Sequence, residues 1–396
     1  MLTRATSALG VVIALSTGCE GRVALRVVRD GGTAQLAREA GTGDSAARDA
    51  ENVGAATQCP AGTVSHVVEL TTPVKLDLLF MIDDSGSMHE EQANLARNFP
   101  RLINELKNLP MGFPDLHLGV VSSDLGAGSK MTGDACGMPM GDGAVLQVRS
   151  GCGLDPKNGR YLISENGGSS NNFDGDIANV FACLAKLGTD GCGFEHQLQS
   201  VRMALSGFVS DNDGFLRPDA HLAVVYITDE DDCSAPPYNT FFDGPRGSLL
   251  CSRYGHVCDG APVPDAVFST PLDHCSAAPD GGGKLFPVQT FIDDMKGLHT
   301  QSVTVSVIGG WPNDPASAVY SVGYDSSWSS TELIDLPICK SANGEAYVGL
   351  RMKQFVDAFG PAGKILSICE ADFSSAMAQI GRLITTTVQN TTVECQ

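Results

Sequence analysis

The chain is short of positive charge. Its 396 residues carry 26 Lys+Arg against 46 Asp+Glu, a formal net charge of −20. Phosphate neutralisation needs clustered basic residues, which excludes nucleic-acid binding as the main task. Charged residues make up only 18% and hydrophobic residues 42%, a balance that packs a sizeable core, in one large domain or two small ones. No CxxC pair or zinc-type Cys/His spacing occurs, and the eight histidines are scattered, so a thiolate metal cluster is not expected. GxSxG, P-loop and HExxH motifs are missing as well.

Cysteine is abundant. The start of the chain places one cation, Arg4, before the apolar run Ala8–Leu15 and then Ser16-Thr17-Gly18-Cys19. That run is too short to span a bilayer and reads as a bacterial export signal over residues 1–19. Gly18 before Cys19 resembles a lipobox, in which the cysteine acquires lipid, although Ser16 replaces the usual leucine-like residue. A plain secretory peptide or an uncleaved anchor is the alternative. Setting Cys19 aside leaves 12 of the 13 cysteines, which pair as six disulfides in an oxidising compartment. The expected location is the cell envelope, as an outer-membrane lipoprotein facing the periplasm or the surface, or else outside the cell. Residues 20–58 lack aromatics and any apolar period, as a flexible tether does.

From Cys59 onward, apolar runs alternate with helical patterns. Val74–Ile82, Leu116–Val121, Leu222–Ile227, Val303–Ile308 and Ile365–Ile368 read as buried strands. Leu95, Phe99, Leu102, Ile103 and Leu106 recur at helical spacing, with Pro100 inside the pattern, where it is expected to kink or divide the helix. Further helices are expected around Val180, Val201, Ile292, Phe355 and Ile380. The alternation predicts an α/β fold, a doubly wound and mostly parallel sheet flanked by helices, over 59–396. Two stretches break the rhythm, about 127–172 and 233–284; both are rich in Gly, Pro and Cys and read as disulfide-stapled surface insertions.

Two strand ends carry the chemistry. The first strand runs into Asp83-Asp84-Ser85-Gly86-Ser87, and the third ends in Ile227-Thr228-Asp229. Asp83, Ser85 and Ser87 alternate, so a tight turn can aim one carboxylate and two hydroxyls at a single point, suiting a hard divalent cation. If the strands are neighbours, Asp229 completes the shell at the crevice where open α/β sheets bind ligands.

Asp83-x-Ser85-x-Ser87 with Asp229 resembles the metal-ion-dependent adhesion site of the von Willebrand factor A domain, and the lipobox-like start resembles secreted, lipid-anchored bacterial members. The resemblance implies a Rossmann-like fold, one Mg²⁺, Ca²⁺ or Mn²⁺ ion, and adhesion to a protein or surface macromolecule whose acidic side chain completes the metal. The two insertions have no counterpart in the minimal family domain. The family also supplies a threonine from a loop before a helix, where Cys192 stands here. Glu195 is the expected substitute, with Thr189 the weaker candidate. A glutamate in that place adds negative charge, holding the metal more firmly and attracting an acidic partner less.

Spacing suggests bridges Cys59–Cys395, Cys136–Cys152, Cys183–Cys192 and Cys339–Cys369, with Cys233, Cys251, Cys258 and Cys275 pairing among themselves. Asp83 and Ser85 could instead only cap the next helix, Glu230, Asp231 and Asp232 are expected to be a solvated loop, His89 and His196 solvated helix residues, and Asp211–Gly214 a turn. An aspartic-protease-like hydrolase using Asp84 is the enzymatic alternative, although no second Asp-Ser/Thr-Gly turn occurs; an architectural envelope protein with a structural ion is another. The expectation is a binding protein without catalytic residues, touching the membrane only through a lipid anchor.

Overall fold

The computed structural model describes residues 13–17, 23–27 and 73–391, the last with short gaps at 110–111, 129–135, 137–139, 238–248, 264–270, 315–319, 325–332 and 342–343. Cys19, Cys59 and Cys395, with their expected lipidation and bridge, lie outside the described residues. Ile13–Thr17 and Val23–Val27 form an antiparallel pair.

The core is a seven-stranded sheet. Its strands are β1 (Lys75–Ile82), β2 (Asp115–Ser122), β3 (Leu162–Glu165), β4 (Ser170–Asn171), β5 (His221–Ile227), β6 (Ser302–Gly309) and β7 (Gly363–Ser367), in the order β7-β6-β5-β1-β2-β3-β4. The four pairings that join β7, β6, β5, β1 and β2 are all parallel, whereas β3 and β4 add to the edge antiparallel. A sheet covered on both faces needs apolar residues on both sides of each strand. On β1, Leu76, Leu78, Phe80 and Ile82 face one core and Leu79 and Met81 the other. Helices α1 (His89–Leu106), α2 (Ile177–Leu184) and α7 (Ser374–Thr391) cover the first face. The second is covered by α3 (Gln197–Leu205), α5 (Val288–Lys296) and α6 (Leu350–Asp357). The expected doubly wound α/β fold is the one present. No described helix is long and apolar enough to cross a membrane.

Four expectations need correction. Helix α1 runs unbroken through Pro100; the proline is exposed while Phe99, Leu102 and Ile103 are buried, so the lost N–H lies on the solvent side and apolar packing carries the helix past it. The first insertion is not confined to the surface, because it contributes β3 and β4 to the main sheet. The second holds α4 (Leu249–Gly255) and a small three-stranded sheet.

The bridges Cys136–Cys152 and Cys183–Cys192 are replaced by Cys136–Cys192 and Cys152–Cys183. Sequence nearness misled here: the bridge geometry requires Cα atoms about 4.4–6.8 Å apart, and the fold brings the first insertion against the loop before α3. Cys339–Cys369 forms as expected, and Cys233–Cys251 and Cys258–Cys275 pair within the expected set of four.

Candidate metal centre

Strand order places the site. β1 lies between β5 and β2, and Ile82 pairs with Ile227 and with Ser122, so the residues that follow all three strands meet at the carboxyl edge where the winding reverses. The backbone N–H of Asp83 donates to Ile227 O at 2.9 Å.

Asp83 is fully buried. Its Oδ1 accepts from Ser85 N at 2.8 Å and from Ser123 Oγ at 3.2 Å, and its Oδ2 accepts from Thr228 Oγ1 at 2.6 Å. The carboxylate is thereby oriented by all three strand ends. Ser85 Oγ and Ser87 Oγ stand 3.4 Å apart, with Ser85 buried and Ser87 exposed. Gln92 on α1 donates to Asp83 O and to Gly188 O, and accepts from Gly188 N, tying the turn to the segment that contains Thr189.

Asp229 and Glu195 are each 1% exposed. Neither oxygen of Asp229 has a hydrogen-bond partner of good geometry, nor does Glu195 Oε2. Burying a carboxylate without a partner is costly, and the effect on acidity follows. Burial raises the Asp229 pKa well above the usual carboxylate range, and the charges of Asp83 and Glu230 push it further, against a smaller opposing effect of the Ser87 hydroxyl. Glu195 is raised well above its usual range by burial, then by Glu230 and Asp83. Asp83 is raised by burial against the hydrogen bonds that favour its charge. Glu91 is pushed up to about 7, mainly by burial. None of the largest influences on these four carboxyls comes from a lysine or arginine.

The arrangement therefore gathers oxygen donors of the kind a cation could accept. Asp83, Ser85, Ser87, Asp229 and Glu195 supply hard oxygen donors, as Mg²⁺, Mn²⁺ or Ca²⁺ requires. The orphaned oxygens of Asp229 and Glu195 are the ones a cation would satisfy. Among the described residues no set of three His, Cys, Asp or Glu side chains is arranged as a ready metal cluster, so the hydroxyls would have to belong to the shell.

Cys192 is removed as a ligand by its bond to Cys136, not by the expected local bridge. Asp84 is buried, accepts from Ser123 Oγ at 3.3 Å, and is pushed up to about 8 by burial and then by Asp83, Asp124 and Asp142.

Two neighbouring expectations are corrected. His196 is buried, with Nε2 3.0 Å from Gly126 O and Nδ1 accepting from Ala235 N; burial lowers its pKa, so it is a neutral structural ring. Asp231 and Asp232 are buried, not solvated. Asp231 accepts from Arg351 N, Met352 N and His256 Nε2, and Asp232 from Leu198 N, Ser234 Oγ and the Arg351 guanidinium. The Asp211–Gly214 turn buries Asn212, which bonds Leu146 N, Ala144 O and Ala204 O and so anchors the first insertion.

Sequence reasoning missed Ser123, Thr228 as the partner of Asp83, and Glu91. Ser122-Ser123-Asp124, directly after a buried strand, was a signal for the first. Nothing in the sequence marked Glu91, which lies on α1.

No protein-family model matches the chain, and no curated protein does. Among solved structures it is similar to the conserved hypothetical protein BatB from Bacteroides thetaiotaomicron, at 11% identity over 79% of this chain and 99% of that one, with a TM-score of 0.32. It is also similar to an aerotolerance-related membrane protein from Bacteroides fragilis, at 12% identity over 78% and 99%, TM-score 0.31. A third is the pilus adhesin SpaC from Lactobacillus rhamnosus GG, at 9% identity over 82% and 33%, TM-score 0.33. At these TM-scores the neighbours carry no argument; the fold rests on the strand order described above.

Proposed function

We propose that the protein is an exported binding protein of the von Willebrand factor A type, which holds one divalent cation through Asp83, Ser85, Ser87, Asp229 and Glu195. The face bearing the ion, enlarged by the insertions, would engage a protein or surface macromolecule. One observation carries this: Asp229 and Glu195 are buried beside Asp83 with oxygens that nothing in the protein satisfies. Capping of α1 alone does not account for them, because neither lies on that helix. The exposed Gly86 and Ser87 leave the ion approachable from one side. Three carboxylates in the neighbourhood of a divalent ion, not all of them in direct contact with it, leave that side net negative, so an acidic partner is attracted less than where a threonine supplies the third group.

Five disulfides among the described residues support an oxidising compartment, and the envelope location through a lipid on Cys19 belongs to the same proposal. The role is binding and not catalysis. Calorimetric titration with Mg²⁺, Mn²⁺ and Ca²⁺ tests the site: saturable binding to wild type that Asp83→Ala loses is the expected result, and equal heats from both proteins reject it. A pull-down from envelope extract with and without chelator tests the role; a partner retained only with the ion supports adhesion. A chelator that lowers Tm but changes no partner would instead make the ion architectural.

A further inference from the structure

Helix α3 starts two residues after Glu195 and leads away from the cation site for nine residues, about 13 Å. The turn at its far end, Ser206-Gly207-Phe208, is fixed by hydrogen bonds. Ser206 Oγ donates to Met203 O at 2.7 Å and accepts from the Phe208 N–H at 3.2 Å, and Gly207 takes the left-handed conformation, with φ at +74°. The turn holds Phe208 out in solvent at 94% exposure. Among the described residues the other large apolar side chain left exposed is Met140, at 43%. Beside Phe208 a cavity of about 270 Å³ opens between α3 and α5, lined by Leu198, Leu205, Phe291, Met295, Leu298 and Phe355. Phe208 borders this cavity and does not fill it. Arg202 and Asp294 also border it and pair at 2.5 Å, with 35% and 47% of their side chains exposed.

We propose that this end of the molecule is a homodimer interface, in which Phe208 of each copy enters the cavity of the other. A knob and a hole side by side make a patch complementary to itself: a two-fold rotation near Phe208 brings each ring to the partner's cavity, and the contact closes. On separate faces the same fit would build open chains. The size suits a benzyl side chain, since an apolar cavity of about 150 Å³ accommodates benzene. Charge is complementary under the same rotation. Arg202 and Asp294 stand together at the rim, so each can meet the opposite sign across the two-fold without like charges facing. A lone exposed aromatic is ordinary; one that a hydrogen-bonded turn holds beside a hole able to admit it is not. The net charge of −20 on each copy opposes the approach, so salt, which screens it, strengthens the dimer. On the function proposed above, the ion-bearing faces lie at the other end of α3 and would stay free, two to a dimer. The dimer itself does not depend on that function.

Sedimentation velocity of the full chain from about 1 to 200 μM, a range suited to transient association, tests the proposal. Wild type is expected to pass from monomer to dimer with concentration, to stop there, and to shift further toward dimer in about 0.5 M NaCl. Phe208→Ala, at a position exposed in the monomer, should weaken the dimer at least tenfold, about 1.4 kcal/mol. Leu298→Trp, at a half-buried position of the lining, should do the same by filling the hole, with circular dichroism confirming the fold. Mixing the two variants separates insertion from an indirect effect. The Leu298→Trp protein keeps its knob and the Phe208→Ala protein its hole, so together they should form a heterodimer tighter than either variant forms alone. Dimerisation should persist in chelator, which separates this interface from the cation site. Wild type that stays monomeric to about 200 μM, species that grow beyond the dimer, an undiminished Phe208→Ala dimer, no gain on mixing, or a dimer lost in chelator would each overturn the proposal.

Discussion

Asp229 and Asp232 are three positions apart, both buried, and they have opposite surroundings. Asp232 receives the Arg351 guanidinium at 2.7 Å and 3.1 Å, the Leu198 N–H and the Ser234 hydroxyl, and Asp231 beside it receives two N–H groups at the first turn of α6 and His256 Nε2. Asp229 and Glu195 receive nothing of good geometry on the oxygens named above. The first pair is structural: its charges are met by a buried cation, donors and helix ends. The second has oxygens without a partner among the described residues, which the proposed cation would satisfy. Burial alone thus says little about a carboxylate; what decides its role is whether the protein itself completes its hydrogen bonds.

The comparison can be broken by removing the counter-charge. Arg351→Ala strands Asp232, and since both side chains are fully buried, the expected loss is about 3–5 kcal/mol of stability in urea denaturation. A loss under 1 kcal/mol would mean that the network is no more than a surface ion pair. The next effect concerns the loop that carries Glu195. Cys136–Cys192 closes a separation of 56 residues, so the double change Cys136→Ser/Cys192→Ser should cost about 4 kcal/mol in the chain-entropy account. It should also weaken cation binding, because Cys192 lies three residues before Glu195. Peptide mapping without reduction should recover the Cys136–Cys192 and Cys152–Cys183 links; Cys183–Cys192 in their place would contradict the arrangement described.

Asp229→Ala should give the opposite pattern to Arg351→Ala. Cation affinity should fall at least tenfold by calorimetry, about 1.4 kcal/mol, while the melting temperature in chelator holds or rises, because an unpartnered buried carboxyl has been removed. A drop in chelator like that of Arg351→Ala would place Asp229 with Asp232 as a structural residue.

The smallest effect lies away from both clusters. Burial lowers His117 and His221 to about 4, so the unfolded chain takes up protons there that the folded one refuses. Stability from these two is present above about 6.5 and is lost as pH falls toward 4. Relative to His117→Gln/His221→Gln, wild type should therefore lose ground over that window in denaturant titrations, by the same amount with and without chelator. A gap that does not move with pH would remove the assignment.

Much of the fold was legible because strands buried on both faces leave long apolar runs and helices leave a stripe. Leu222–Ile227 is an example of the first, and Leu95, Phe99, Leu102 and Leu106 of the second. Asp83, Ser85, Ser87 and Asp229 were legible for a related reason: local alternation and strand ends are properties of neighbouring residues. Ser123, Glu91 and the Arg351 partnership were not, since each meets its partners across distances in sequence that no local pattern encodes.

By itself the sequence determined the sheet with its helices, the surplus of negative charge, the oxygen-rich turn after the first strand, and three of the bridges up to the pairing within a set of four. Tertiary structure alone decided that Cys192 joins Cys136, that Asp231 and Asp232 are enclosed and satisfied, and that Asp229 and Glu195 are enclosed and not. Periodicity is written residue by residue, whereas the company a buried charge keeps depends on which distant segments the sheet order brings to its edge.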